Sequence, residues 1–402
     1  MTQSTLSASE AIKTSYEQYV VPSYARSLVL TRGQGCRVWD AEGREYLDLG
    51  GGIAVNCLGH SHPAITRALL EQSQRMVHCS NLFYNELQGS LARELVDRTG
   101  PGKVFFCNSG AEANEGLIKL ARKAGHAQGR FEIITAFNSF HGRTMAGISA
   151  TGQDKVKQGF DPLLPGFIHV PFNDIEAVKS AMTERTAAVM IEGIQGEGGI
   201  TPATPEYLLQ LRALTKEAGV LLLMDAVQCG FFRTGCFQSY QRILENKPEA
   251  AGFKPDAISM AKSLGGGFPI GAFWIGTEWA DVFQPGSHGT TYGGTPLACA
   301  VSLAILEVIR SEGLEDNIRR QGDYLKTELE KMLGQHGLES VRGMGLMLGM
   351  QVFGDAMAAA AKLRENGLIL VPATGNILRF LPPYNVSREE LDQALEIIRK
   401  TL

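Results

Sequence analysis

The sequence predicts an α/β protein: a mostly parallel β-sheet with helices on both faces, followed by a smaller α+β domain. Seven short strand-like segments occur between residues 103 and 275, and helical patterns lie between several of them. This alternation is typical of a parallel sheet covered by helices. The most apolar segment, residues 220–224, is too short to span a membrane and too apolar for an exposed strand. It is therefore expected to be buried on both faces.

The remaining elements follow from periodicity and turn chemistry. Residues 35–48 form two alternating runs around a Glu42-Gly43 turn, which indicates a hairpin. After residue 109, apolar residues recur at helical spacing on one face. The predicted sheet strands are 103–107, 131–136, 167–170, 187–192, 220–225, 256–260 and 272–275. The predicted helices are 63–76, 84–99, one from 109, 205–218, 296–311, 314–333, 356–366 and 388–399. Further short strands are expected at 346–352 and 377–380.

Length and composition limit the class of protein. A chain of 402 residues predicts about two to three domains. We expect an N-terminal segment (1–55) packed with the small domain, a large domain that carries the ligand site (56–300) and a small C-terminal α+β domain (301–402). A net charge of −4 gives no general attraction to nucleic acid or anionic membranes. No apolar run approaches the roughly 18 residues that span a bilayer.

The cysteines and the N-terminus indicate a compartment. Seven cysteines are scattered without a CxxC pair, so neither a zinc site nor a disulfide framework is expected. The N-terminus lacks a basic segment followed by an apolar core, so no secretory signal is expected. We therefore expect a reduced, cytoplasmic protein.

Asp225 and Lys262 carry the main chemical hypothesis. Asp225 directly follows the apolar strand, at the sheet edge where open α/β proteins place ligands. Lys262 stands shortly before three glycines. Pyridoxal 5′-phosphate (PLP) requires an amine for its aldehyde and an anion for its ring nitrogen, and these two residues would supply both. Taken singly, Lys262 could be a surface lysine and Asp225 a structural strand-end aspartate.

Residues 108–113 are a candidate phosphate site. They lie between a predicted strand and an amphipathic helix, where backbone N–H groups and the helix dipole favour an anion. Ser109 adds a hydroxyl, and Gly110 lets the backbone approach closely. The alternative is that Ser109 is a plain N-cap.

Residues 140–143 combine an aromatic ring with a cation. Phe140 could stack on a flat cofactor ring. Arg143 could hold a carboxylate through two parallel hydrogen bonds, or it could form a surface ion pair. His141 is interpreted as a structural histidine.

Arg379 lies within a short apolar run, where an isolated charge is costly and requires a partner. Glu192 ends a predicted strand at the same sheet edge as Asp225, and Glu197 follows in the adjoining loop. We expect Glu192 to pair with Arg379 and to release it when a substrate carboxylate competes.

Taken together, these segments resemble the class-III, fold-type-I, PLP-dependent aminotransferases, closest to the acetylornithine aminotransferase group. The resemblance covers nearly the whole chain and implies the PLP-dependent transferase fold with a seven-stranded sheet. Eight motifs in order carry it: GIAVNCLGHSHP (52–63), SNLFYNE (80–86), FFCNSGAEANE (105–115), FHGRT (140–144), IEGIQGEGG (191–199), MDAVQCGFFRTG (224–235), AKSLGGGFPIGA (261–272) and HGTTYGGTPLACA (288–300).

The resemblance implies roles for the cofactor residues. Lys262 matches the lysine that forms the Schiff base, and Asp225 matches the partner of the ring nitrogen. Val227 and Phe140 match residues on the two ring faces, and Gln228 matches a residue near the ring hydroxyl.

The phosphate would be bound from two subunits. Ser109, Gly110 and Ala111 match the phosphate loop. Thr291 matches a threonine that reaches the phosphate in the neighbouring subunit, which implies a homodimer with active sites at the interface.

The resemblance also implies substrate contacts. Arg143 matches the arginine for the distal carboxylate, and Arg379 matches the arginine for the α-carboxylate of glutamate. Glu192 matches the gate that masks Arg379 when the amine donor resembles ornithine. Glu197 is a further candidate substrate residue.

The chain departs from the family pattern at Ala226, Gly193, Thr295 and the Phe231–Phe232 pair, and residues 240–254 are longer than usual. None of these changes removes a residue assigned to the cofactor, but they leave the substrate open.

The predicted reaction transfers the terminal amino group of N2-acetylornithine to 2-oxoglutarate by a ping-pong mechanism, as in arginine biosynthesis. The alternatives are another ω-aminotransferase (for succinylornithine, ornithine, 4-aminobutyrate or a succinyldiaminopimelate), a PLP-dependent aminomutase or racemase, and a non-catalytic protein that keeps the fold.

Overall fold

The structure, a computed structural model, describes residues 7–402. Its strands in chain order are β1 (Leu30–Gln34), β2 (Arg37–Asp40), β3 (Glu45–Asp48), β4 (Gly102–Cys107), β5 (Glu132–Ala136), β6 (Phe167–Val170), β7 (Thr186–Glu192), β8 (Ile194–Gln195), β9 (Thr201–Pro202), β10 (Leu221–Asp225), β11 (Ala257–Met260), β12 (Gly271–Gly276), β13 (Leu338–Met344), β14 (Met347–Val352), β15 (Leu368–Ile369), β16 (Val371–Ala373) and β17 (Ile377–Phe380).

The helices alternate with these strands through the first three-quarters of the chain. In chain order they are α1 (Ala8–Tyr19), α2 (Gly51–Ala54), α3 (Pro63–Arg75), α4 (Glu86–Thr99), α5 (Gly110–Gly125), α6 (Met145–Ala150), α7 (Ile175–Ala181), α8 (Pro205–Ala218), α9 (Ser239–Ile243), α10 (Pro296–Ser311), α11 (Leu314–Glu330), α12 (Ala356–Glu365) and α13 (Arg388–Thr401).

A seven-stranded sheet forms the centre, in the order β4-β12-β11-β10-β7-β5-β6. Strand β12 runs antiparallel to both of its neighbours, and the other pairings are parallel. The predicted fold class, a mostly parallel sheet of seven strands, is confirmed. All seven predicted segments are strands of this sheet, and their bounds differ from the prediction by only one residue at some ends.

Strand β10 is buried on both faces, as its composition predicts. Leu222 and Met224 belong to one apolar cluster, whereas Leu221 and Leu223 belong to a second cluster on the opposite face. Side chains alternate along a strand, so continuous apolar sequence requires cover on both faces. This burial fixes the strand and so fixes Asp225 at its end.

Three smaller sheets complete the fold of residues 7–402, and one of them is the two-stranded sheet β8-β9. Another, in the order β13-β14-β17-β16, carries Arg379 on β17. The predicted hairpin is present as β2 and β3, and β1 adds a third strand that was not predicted. Strand β3 also pairs in parallel with β15, so the N-terminal hairpin packs with the C-terminal part of the chain.

The proposed domain limits at residues 55 and 300 stay predictions. Helix α10 runs across the second limit as one continuous element. Its apolar composition explains this continuity, because residues on both sides of position 300 are buried in the same core. Within residues 7–402, no helix combines the length and apolarity required to cross a membrane.

Candidate active site

A cavity of about 390 Å³ lies at the carboxyl ends of the parallel strands. Asp225 of β10 is in register with Glu192 of β7 and Ser259 of β11, so three polar residues meet at this edge. The cavity wall also includes Ser109, Gly110, Ala111, Phe140, His141, Arg143, Glu192, Glu197, Asp225, Val227, Gln228 and Lys262. The structure thus brings together all the predicted site residues except Thr291 and Arg379.

Lys262 lies two residues after the end of β11 and lines this cavity. Its φ of 50° lies in the left-handed region, which is uncommon for a residue with a side chain and is typical of functional sites. Burial lowers the pKa of the Lys262 amine to about 8, while Glu197 raises it and Arg379 lowers it. A larger fraction of the amine is therefore neutral near physiological pH than for an ordinary lysine.

Asp225 is a buried carboxylate whose oxygens are occupied by donors. Oδ2 accepts a hydrogen bond from Nδ2 of Asn114 at 2.7 Å and contacts Nδ1 of His141 at 2.8 Å. Oδ1 accepts from the backbone N–H of Val227 at 3.0 Å. These contacts fix the orientation of the carboxyl group, which lies in the cavity wall.

The residues predicted to bind the phosphate lie at the start of α5. Ser109 is the N-cap, and its hydroxyl accepts from the N–H of Glu112 at 3.2 Å. A Cβ added at Gly110 would lie 2.6 Å from Val227, so only glycine lets these segments approach each other. A cap at Ser109 is compatible with an anion site, because Gly110 and Ala111 of the first turn line the cavity and the first N–H groups of a helix have no partner within the helix. The phosphate roles of Ser109, Gly110 and Ala111 stay predictions.

Phe140 and Arg143 line the same cavity. The Arg143 guanidinium carbon lies 5.5 Å from the centroid of the Phe140 ring. Arg143 is exposed, and it has no carboxylate partner within residues 7–402. This cation is therefore available to an anionic ligand.

The expected pairing of Glu192 with Arg379 is wrong, because Arg379 pairs with Glu197 instead. Its Nη1 lies 2.5 Å from Oε1 of Glu197 and donates to Oε1 of Gln228 at 3.3 Å. Nη2 donates to the carbonyl of Pro372 at 3.1 Å. Arg379 is almost fully buried, whereas the Glu197 side chain keeps 28% exposure. A buried cation paired with a partly exposed carboxylate is suited to an exchangeable pair.

The side chain of Glu192 is hydrogen-bonded to the backbone. Its two oxygens accept from the N–H groups of Gly196 at 3.2 Å and Phe140 at 3.3 Å. Burial raises its pKa well above the ordinary range, and the nearby Asp225 charge raises it further. Glu192 therefore holds the loops around the cavity in place, and its oxygens are not available to Arg379.

Asn114 is the site residue that sequence reasoning missed. It lies on α5, five residues after Ser109, and is almost fully buried. Besides binding Asp225, its Nδ2 donates to the carbonyl of His141 at 2.9 Å. The signal in the sequence was an asparagine within an amphipathic helix. His141, interpreted as a structural histidine, is buried and contacts Asp225.

Thr291 lies outside the cavity and is exposed, so its predicted role depends on a second subunit. No set of three or more acidic, histidine or cysteine residues within positions 7–402 is arranged to hold a metal ion. The residues present do fit PLP: a close-approach glycine cradle, a buried carboxylate with fixed donors, and an amine facing both.

Fold and site together define the class of protein, and the comparisons agree. Residues 19–402 match the family described as aminotransferase class-III. The chain belongs to this family, and the expected class of PLP-dependent transaminase is confirmed.

Curated relatives of similar length share almost half of the sequence. The chain is 46% identical over 392 residues to an acetylornithine aminotransferase of Caldanaerobacter subterraneus, covering 96% of this chain and 98% of the relative. It is 46% identical over 401 residues to the acetylornithine aminotransferase of Xylella fastidiosa, covering 96% of each chain.

Solved structures resemble the whole fold. An ornithine aminotransferase from Toxoplasma gondii, which holds partially occupied PLP at its active site, superposes with a TM-score of 0.92 at 33% identity, covering 98% of this chain and 94% of that one. The acetylornithine aminotransferase of Elizabethkingia anophelis gives a TM-score of 0.85 at 34% identity, covering 99% of both chains.

The pKa of Lys262 gives a prediction for cofactor capture. An amine attacks an aldehyde only when it is neutral, so protein freed of cofactor should bind PLP faster as pH rises through about 8. Stopped-flow absorbance at a series of pH values measures this rate. Lys262→Ala is the control that removes the covalent step. A midpoint at the ordinary lysine value would contradict the effect of burial.

Proposed function

We propose that this protein transfers the terminal amino group of N2-acetylornithine to 2-oxoglutarate, giving N-acetylglutamate 5-semialdehyde and glutamate, as in arginine biosynthesis. One observation carries the ω-amine class of substrate: the cavity wall has an accessible arginine, Arg143, while Arg379 behind it is masked by Glu197. The acetylornithine aminotransferases at 46% identity support the same substrate.

The chain's residues divide the work around the cofactor. PLP, when bound, withdraws electrons from the substrate carbon that loses a proton. Lys262 supplies the amine that holds the aldehyde, and once released it can carry the proton between carbon atoms. Asp225, oriented by Asn114, His141 and Val227, would accept a hydrogen bond from the ring nitrogen and keep its proton in place. Phe140 and Val227 line the same cavity and would enclose the ring from its two faces.

The Glu197–Arg379 pair lets one site accept two kinds of substrate. Glutamate brings two carboxylates, and it can displace Glu197 and bind both arginines. N2-acetylornithine presents an amine to the reacting centre and a carboxylate only at its distant end, where Arg143 lies. Two permanently free arginines would favour the diacid alone, so the masking carboxylate broadens the specificity.

A homodimer is part of the proposal. Thr291 is exposed and lies outside the cavity of its own chain. The next residue, Tyr292, is 64% exposed. Asn81 donates to the carbonyls of Thr290 and Gly293, and the residues after it, Leu82 and Phe83, are 86% and 68% exposed. Large apolar side chains exposed together are typical of an interface. A second copy covering this region would bring its Thr291 toward the phosphate loop.

The cysteines support a cytoplasmic location. All seven are free in the structure. Free, mostly buried thiols support the expectation of a reducing, cytoplasmic environment.

The substrate assignment is tested with purified holoenzyme and 2-oxoglutarate. We expect kcat/KM for N2-acetylornithine to exceed the values for succinylornithine, ornithine, 4-aminobutyrate and a succinyldiaminopimelate. Lys262→Ala should lose turnover with every amine and should lose the visible absorbance of lysine-bound PLP. A preference for another ω-amine would replace the proposed substrate, and turnover that survives Lys262→Ala would refute the mechanism.

The masking role predicts opposite effects on the two substrates. Glu197→Gln removes the competing charge, so KM for glutamate should fall by about tenfold while kcat/KM for N2-acetylornithine decreases. Steady-state kinetics of the two half-reactions measure both. The control is Glu132→Gln, which removes a buried carboxylate paired with Arg185 far along the sheet. If Glu192→Gln gave this pattern and Glu197→Gln did not, Glu192 would be the gate.

A further inference from the structure

Arg233 is a buried cation without a carboxylate partner. It has 0% exposure, and within residues 7–402 no acidic side chain pairs with it. Its Nη1 donates to the carbonyls of Leu346, at 3.2 Å, and Pro382. The guanidinium carbon also lies 4.5 Å from the ring centroid of Tyr384. Burying a charge in this way is costly, so a function for the arrangement is indicated.

The two carbonyls that Arg233 binds lie next to the ends of β14 and β17, the strand that carries Arg379. Pro382 follows β17 by two residues, and Arg379 is on β17. Leu346 directly precedes β14, whose Gly349 is paired with Arg379. Arg233 itself stands eight residues after Asp225 in the sequence. Its side chain therefore connects the segment that follows Asp225 with the ends of β14 and β17.

Tyr384 extends this connection to a strained turn. Its hydroxyl donates to the carbonyl of Phe231. Phe231 and the next residue, Phe232, have φ values of 49° and 69°. Two successive bulky residues in the left-handed region cost energy and persist only where neighbours hold them. Tyr384 and Arg233 hold this turn from one side.

Tyr384 also contacts the segment that carries Lys262. Burial raises the pKa of Tyr384, and the Arg233 charge and the hydroxyl of Ser263 oppose the increase. Ser263 is the residue after Lys262, and its hydroxyl donates to the carbonyl of Ala54 at 2.8 Å. The N–H of Tyr384 donates to the carbonyl of Cys57 at 2.7 Å, and the Cys57 thiol lies 3.2 Å from the carbonyl of Ser263. A continuous network thus joins Lys262 to Arg379.

We propose that Arg233 and Tyr384 are positioning residues that set the separation between the Lys262 amine and the Arg379 guanidinium. They touch neither substrate nor cofactor, and they act on glutamate and 2-oxoglutarate through Arg379. This inference rests on the proposed function, in which Arg379 binds the carboxylate next to the reacting carbon of the diacid. N2-acetylornithine has no carboxylate there, so its binding does not depend on this separation.

Two variants test the role in the holoenzyme. Tyr384→Phe keeps the ring and loses the hydrogen bond to Phe231. Arg233→Lys keeps the charge and loses the planar guanidinium, whose Nη1 donates to both carbonyls and whose carbon lies over the Tyr384 ring. Each should raise KM for glutamate by about tenfold and leave KM for N2-acetylornithine within about twofold. Calorimetry with glutarate, a diacid that cannot react, should show a matching rise in Kd.

Controls separate positioning from general stability. Tyr240→Phe changes a buried tyrosine, and Arg212→Lys changes an arginine paired with Asp256 at 2.7 Å, both outside the cavity wall. Neither should alter the ratio of the two KM values. If Arg233→Lys fails to fold, Tyr384→Phe, which deletes one oxygen atom, carries the test.

Arg379→Lys separates the two claims. It should raise KM for glutamate selectively if the proposed function is correct. If Arg379→Lys shows this selectivity but Tyr384→Phe leaves both KM values unchanged, or raises both equally with a lower Tm, the positioning role is overturned. If Arg379→Lys itself affects both substrates equally, the proposed substrate contacts are wrong.

Discussion

The structure depends on one buried charge, the carboxylate of Asp225. It stands at the end of a strand that is covered on both faces, so its backbone cannot move without disturbing both apolar clusters. Asn114, His141 and the N–H of Val227 contact its oxygens and fix its orientation. The same residues belong to the segments that shape the cavity: Asn114 lies on the helix of the anion cradle, and Val227 packs against Gly110. Cofactor binding and electronic activation are thus built from one cluster.

A second constraint is the balance of charge around Lys262. The cavity wall includes Arg143, Glu192 and Glu197, and Arg379 lies behind it, bound to Glu197 and Gln228. Glu192 is held by two backbone N–H groups, so its oxygens are not directed at Arg379. Glu197 pairs with Arg379 and is accessible enough to be displaced. Among the residues that the structure describes, Arg143 is the arginine of the cavity wall without a carboxylate partner, which favours a substrate with one carboxylate far from its reacting end.

Much of the fold could be predicted from local sequence, because burial leaves a clear pattern in parallel strands. The position of Asp225 after an apolar run and of Lys262 before glycines sufficed to place both at one sheet edge. The partner of Arg379 could not be predicted in this way. Glu192 is in register with Asp225, which made it the natural candidate, but its oxygens are taken by the N–H groups of Phe140 and Gly196. Loop conformation after β7, which no periodicity encodes, brings Glu197 to the arginine instead. Asn114 was missed because its partner is distant in sequence.

We propose that Asp225 keeps the ring nitrogen of the cofactor protonated. The most direct test of this role is the nitrogen-15 chemical shift of PLP labelled at the ring nitrogen and bound in the holoenzyme. We expect the shift of a protonated pyridinium nitrogen throughout the neutral pH range, moving to the unprotonated value in Asp225→Ala. An unprotonated shift in the wild-type holoenzyme at neutral pH would contradict it.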